Sequence, residues 1–115
     1  MADVVETFTL VAGKPTIAKD PNATLDYGLN LTRWLLKTGA TAVASVAVTP
    51  VSGGMELAPE PDYPAPEVYD AGRRVRAWLT GGTPGQKAAV KFRWTTTSVP
   101  PHVDERTLYF KIAER

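Results

Sequence analysis

Polar and apolar residues alternate most regularly from Arg74 onward, and that stretch predicts the frame of the fold. Val75, Ala77 and Leu79 share one parity, as do Ala88, Val90, Phe92 and Trp94, and then Leu108, Phe110 and Ile112. The opposite positions carry charge at Arg74, Arg76, Lys87, Lys91, Arg93 and Lys111. Successive side chains of an extended chain point to opposite faces. Each run therefore predicts an antiparallel strand with one face in a core and one in water. Gly81-Gly-Thr-Pro-Gly85 separates the first two runs, and its glycines predict positive φ in a tight hairpin turn. Ser98-Val-Pro-Pro-His-Val103 is a stiff loop returning the chain to the last strand.

Upstream, Thr7-Phe-Thr-Leu-Val11 predicts a short strand that pairs at an edge of its own sheet or with a neighbouring copy. Residues 1–16 are accordingly expected as an N-terminal extension, edge strand or arm, and 17–115 as the domain. Lys19-Asp-Pro-Asn22 is a turn, since proline presets φ and Asp and Asn bond nearby backbone. Ala23, Leu25, Tyr27 and Leu29 then alternate as a second strand. Leu31, Trp34 and Leu35 recur at spacing three and four, which predicts one short helical turn capped by Thr32 and ended by Gly39. Residues 42–49 predict a third strand, with Val43 facing one way, Val46 and Val48 the other, and Pro50 ending it. Gly53-Gly-Met-Glu-Leu57 holds a further short strand. Pro59-Glu-Pro-Asp-Tyr-Pro-Ala-Pro66 then places four prolines in eight residues. Such a run lacks the donors of a central strand, so residues 53–72 predict a proline-rich loop across the surface. Loops this long in a compact domain are functional or mobile.

The pattern thus predicts a small all-β domain. At 115 residues the chain suits one domain with a core of its own. Thirteen Lys and Arg against twelve Asp and Glu supply no field that would select nucleic acid. The absence of cysteine excludes disulfides and thiolate metal sites. Met1-Ala-Asp-Val-Val-Glu6 lacks the basic flank and apolar core of a signal peptide, and no apolar run approaches the roughly 20 residues of a spanning helix. The expectation is a protein made in a cytoplasm, with no membrane partner.

No nucleophile–base pair or carboxylate pair in a cleft assembles from these residues, so no catalytic, cofactor or metal site is expected. His102, the single histidine, lies beside Pro100-Pro101 and reads as an exposed loop residue. Asp104 and Glu105 read as cross-strand partners of the cationic face. Gly81-Gly-Thr-Pro-Gly85 lacks the Gly-Lys-Ser/Thr ending and following helix of a phosphate loop. Trp34, Trp78 and Trp94 with Tyr27, Tyr63 and Tyr109 could line a sugar platform, although Trp34 and Trp94 read better as core. Trp78 is out of phase with Val75, Ala77 and Leu79. It marks either a second buried layer or a contact surface.

Several segments, taken in order, resemble a family of short virion proteins of tailed phages, the fibre-tail adaptors. They are Lys19-Asp-Pro-Asn-Ala-Thr-Leu-Asp-Tyr27, Trp34-Leu35, Trp78-Leu-Thr-Gly-Gly-Thr83 with Gly85, Thr95-Thr-Thr-Ser98, Asp104-Glu-Arg-Thr-Leu108, and a closing strand ending in Glu114-Arg115. The resemblance implies an immunoglobulin-like antiparallel β-sandwich in the virion that binds copies of itself and joins fibres or spikes to a tail or neck, without a catalytic residue. Three departures stand out. Residues 53–76 are longer and richer in proline than the usual connection, residues 98–103 replace a shorter loop commonly carrying Gly-Arg, and Met1 to Ile17 extends beyond the match. Where partners dock on those loops, the interaction surface comprises Trp78, Pro59, Tyr63, Pro66, Pro100 and His102. Rival readings are a capsid decoration or carbohydrate-binding module on the same sandwich, and a small hydrolase centred on His102.

Overall fold

The computed structural model describes residues 6–9 and 16–113, with side chains from residue 17 onward. Its elements are β1 (Glu6–Thr9), β2 (Thr16–Lys19), β3 (Leu25–Asn30), α1 (Thr32–Thr38), β4 (Val43–Ser52), β5 (Met55–Leu57), β6 (Glu67–Tyr69), β7 (Arg74–Gly81), β8 (Lys87–Thr96) and β9 (Val103–Ile112). They form two packed sheets, an all-β sandwich. The first sheet runs β1-β3-β7-β5 with β6 also on β7; the second runs β2-β9-β8-β4. Pairing is antiparallel throughout except where β1 joins β3 and β2 joins β9. Of the expected N-terminal strand, the backbone of Glu6–Thr9 lies on β3, while residues 1–5 and 10–15, like Glu114 and Arg115, fall outside the described residues.

The alternating runs meet face to face. Val75, Ala77 and Leu79 of β7, with Tyr27 and Leu29 of β3, oppose Val90, Phe92 and Trp94 of β8 and Leu108, Phe110 and Ile112 of β9, all at most 1% exposed. Tyr27 and Phe110 lock the sheets edge to face, with ring centroids 4.9 Å apart. Burying an aromatic or branched apolar side chain contributes about 1.5–3 kcal/mol, so this layer supplies the main driving force for folding.

Four expectations change. Gly81-Gly-Thr-Pro-Gly85 has the expected positive φ at Gly81, Gly82 and Gly85, but it is an arch between sheets and not a hairpin, because β7 and β8 belong to different sheets. Alternation specifies faces, and two inward faces look alike whether their strands pair or oppose. Pro50 does not end β4, which continues to Ser52; β4 is the edge of its sheet, where a residue without N–H is tolerated. The opposed parity of Val43 and Val48 disappears at a register shift between Val43 and Ser45, and both are buried. Thr32 is the first helical residue, and the Asn30 Oδ1 accepts its N–H at 3.1 Å and its hydroxyl at 2.8 Å. Gly39 ends α1 as expected, left-handed at φ 78 with its N–H on the Leu35 carbonyl.

Lys19 holds the arch to the rest of the fold. It ends β2 at an inward position opposite Ile112 and is 1% exposed. Its Nζ donates to the carbonyls of Asp20 at 2.9 Å, Ala23 at 2.8 Å and Gly81 at 2.7 Å. The predicted turn lies against this ammonium, with Ala23 N–H on the Asp20 carbonyl and Asn22 N–H on Asp20 Oδ1.

Candidate protein interface

The proline segment is an excursion from an edge strand. Leu57 pairs with Leu79 and Glu67 with Arg76, so residues 58–66 on the edge, nine in all, oppose only Ala77 and Trp78 on β7. Seven residues are therefore in excess of the register. Before and after them the edge strand is paired normally, as β5 and β6. Ala58, buried, donates its N–H to the Trp78 carbonyl at 2.9 Å, and the chain then leaves the sheet. Proline lacks the donor a ladder requires, which is why the departure coincides with Pro59.

The excursion folds back on the outer face. Val75, Ala77 and Leu79 point inward, so Trp78 points outward, opposite Asp26. Tyr63 lies on it with centroids 5.4 Å apart and planes at 41°. Trp78, Tyr63 and Pro66 are half-buried, while Pro59, Glu60, Pro61, Asp62 and Pro64 are exposed. Beside the pair, Arg76 stacks over Tyr69 at 4.5 Å and faces Glu67 at 3.5 Å and Asp26 at 3.8 Å. The result is a propped loop that presents charge and proline to solvent.

Pro100 and His102 lie elsewhere, on the exposed loop joining β8 and β9 in the second sheet. The His102 Nδ1 is 3.1 Å from the Ser98 hydroxyl, which itself donates to the Pro100 carbonyl, also at 3.1 Å. The His102 backbone N–H and carbonyl bond Thr96, so the residue braces its loop. The Ser98–His102 contact has no carboxylate on the ring among the described residues, so the third group that orients the base of a catalytic triad is not seen there. The structure thus separates the six predicted positions into Trp78, Pro59, Tyr63 and Pro66 on one surface and Pro100 and His102 on another. Aromatics do not form one plane. Trp94 and Tyr27 are core, and Trp34 packs on Trp94 at 90° while its Nε1 donates to Asp104 at 3.0 Å.

The outer face of the second sheet is cationic. Lys87, Lys91, Arg93 and Lys111 share it with one acid, Glu105, which faces Lys91 at 3.6 Å and Arg93 at 3.4 Å. Lys87 and Lys111 stand directly opposite each other. Among the described residues, an open cleft of about 580 Å³ lies beside this pair, bounded by Pro84, Gly85, Gln86, Ile112 and Ala113. Missed in the sequence was the acidity of residues 55–69, which hold Glu56, Glu60, Asp62 and Glu67 without a Lys or Arg. That bias was readable, but the even overall balance concealed it.

No helix among the described residues is long and apolar enough to cross a membrane. Residues 19–111 match the family model described as podophage GP4 fiber-tail adaptor protein gp77. No curated protein matches the chain. Among solved structures it is similar to the crystal structure of the cysteine protease inhibitor EhICP2 from Entamoeba histolytica, with 12% identity, a TM-score of 0.44 and 96% of each chain covered.

Proposed function

This chain belongs to the podophage GP4 fiber-tail adaptor family, and from that membership we propose that it is a structural virion protein joining fibres or spikes to the tail or neck by protein–protein contacts. The match over residues 19–111 carries this reading. It begins at Lys19 and spans the arch, both sheets and the proline excursion. We read the sandwich as immunoglobulin-like, since β1-β3-β7-β5 opposite β9-β8-β4 corresponds to the A-B-E-D and G-F-C order of that fold.

The mechanism requires a rigid frame and exposed contact elements, not chemistry. Trp78, Tyr63 and the prolines around them supply a propped surface whose ordering is largely complete before binding, which lowers the entropic cost of association. Repetition of such contacts by the symmetry of a tail makes weak individual contacts sufficient. The chain acts here without enzymatic activity, and its place is the virion.

The test is co-purification with the tail and fibre proteins encoded beside it. Trp78→Ser, and separately replacement of residues 59–66 by a two-residue turn, are expected to lose the complex while the monomer melts within a few degrees of the unaltered chain. Full retention of the complex by both variants would refute this surface. Capture of neither protein by the unaltered chain would refute the adaptor reading.

A further inference from the structure

The edges of the two sheets are protected unequally. An exposed edge strand presents unpaired N–H and C=O groups to other chains, and folded proteins blunt it with brevity, charge or interruption. Three of the edges are short: β1 and β2 have four residues each, and β5 and β6 have three each on either side of the proline excursion. β4 differs. It runs ten residues along the edge of the second sheet, and residues 38–55 around it carry no charged side chain. Beyond the β8 ladder, the one backbone hydrogen bond of β4 among the described residues joins the Val43 N–H to the Gly72 carbonyl at 2.9 Å. Pro50 fixes which groups are left over. It stays in register with Val90, and a proline is held in a sheet with its nitrogen on the unpaired side. Ser45 to Pro50 pair without a shift, and in an antiparallel ladder the N–H and C=O of alternate residues point the same way. The N–H and C=O of Val46 and Val48, with the C=O of Pro50, therefore face away from the sheet.

We propose that β4 is a docking edge, on which an extended, uncharged segment of a fibre or tail protein adds as a fifth strand of the second sheet. This inference deepens the adaptor reading and rests on it. In such an addition backbone hydrogen bonds supply affinity, and side chains at every second position select the partner. Val46 and Pro50 are half-buried and Val48 is buried on the inner side, whereas Ala47 and Thr49 are exposed on the outer one. A strand alternating apolar and uncharged polar residues continues both faces, while a charged residue would find no counter-ion on β4. β4 lies beside β5 and β6, which frame the proline excursion, so this edge continues the candidate interface around the side of the sandwich. A second copy of β4 is a poorer occupant. In a two-fold pair each strand brings its own Pro50, so two acceptors lose their donors, against one with a foreign strand.

Amide hydrogen exchange of the full chain, resolved to single residues, tests it, first alone and then bound to the fibre and tail proteins encoded beside it. Alone, Val46 and Val48 are expected to exchange about 100-fold or more faster than Ala47 and Thr49, whose N–H groups bond β8. In the complex all four are expected to be slow. Val46→Lys sets a cation at the edge, where it opposes strand addition, and its long stem keeps the packing. This variant is expected to weaken capture about tenfold or more while melting within a few degrees of the unaltered chain. Should it fail to fold, Ala47→Glu on the exposed outer side replaces it and must still weaken capture. The proposal is overturned by Val46 and Val48 amides that are already slow in the chain alone, whether a second copy or the chain itself covers them. Full capture by the folded variant overturns it as well. A complex in which the two amides stay fast overturns this proposal alone, whereas an unaltered chain that captures neither protein overturns the adaptor reading together with it.

Discussion

Replacing Lys19 by methionine tests how the arch is held. Methionine keeps the length and bulk of the stem, so the change removes the ammonium and its three hydrogen bonds without opening a large cavity. A hydrogen bond to a charged group contributes about 1.5–3 kcal/mol net, which bounds the loss at about 4.5–9 kcal/mol. Against this, the cost of burying a cation, several kcal/mol, disappears with the charge. The expected net loss is about 3 kcal/mol. For 115 residues, an unfolding entropy of about 2.1 cal/mol/K per residue converts this to a melting point lower by about 12 °C. Urea titration followed by fluorescence of the buried Trp94, with calorimetry, reads both quantities. A loss below about 0.5 kcal/mol would refute the reasoning, since the Asp20, Ala23 and Gly81 carbonyls would then be no worse off without their donor. The same pair of proteins reports a pH effect. Burial holds the Lys19 ammonium below its ordinary value of 10.5, with the Asp20 carboxylate pulling the other way. Between the folded value and 10.5 the unfolded chain binds more protons, so stability relative to Lys19→Met is expected to rise with pH through that window. A falling difference there would contradict the assigned direction.

Two substitutions probe the backbone. A Cβ on Gly28 would stand 2.2 Å from the Val75 carbonyl oxygen in the neighbouring strand, so Gly28→Ala is expected to cost more than about 2 kcal/mol in urea unfolding; an unchanged midpoint would show that β3 and β7 separate easily. Ala71 has φ 56 in the turn between β6 and β7, and Ala71→Gly is expected to stabilise by about 0.5–1 kcal/mol once the greater freedom of glycine in the unfolded chain is subtracted. A lower melting point for that variant would refute the assignment of strain to Ala71.

The part of the fold legible in the sequence is the part where nothing interrupts the period of two. In β7, β8 and β9 every predicted inward residue is buried, because no insertion displaces their parity. The arch escaped because alternation reports which way a side chain points and not which strand lies beside it. β4 escaped because one bulge near Ala44 resets the count, and β2 because an inward lysine contradicts the pattern until its carbonyl partners are known. Counting also fails across the proline segment. Leu57 and Val68 are eleven positions apart, yet each opposes an inward residue of β7, since an odd number of residues leaves the sheet between them. At the candidate interface, the phase of Trp78 was enough to place it on the face opposite Val75, Ala77 and Leu79, but not to choose between a second buried layer and a contact surface. Its contact with Tyr63 depends on the return path of the loop, which no local pattern encodes.

The split edge of the first sheet also frees the length of its loop from the fold. β5 and β6 are each registered on β7 independently, by Leu57 against Leu79 and by Glu67 against Arg76. An ordinary strand that gains or loses one residue turns every later side chain to the wrong face. Here an insertion between Ala58 and Glu67 is absorbed in solvent, and Val68 still reaches the core. The segment proposed to meet a partner can therefore be exchanged as a cassette, and the sandwich does not register how many residues it contains.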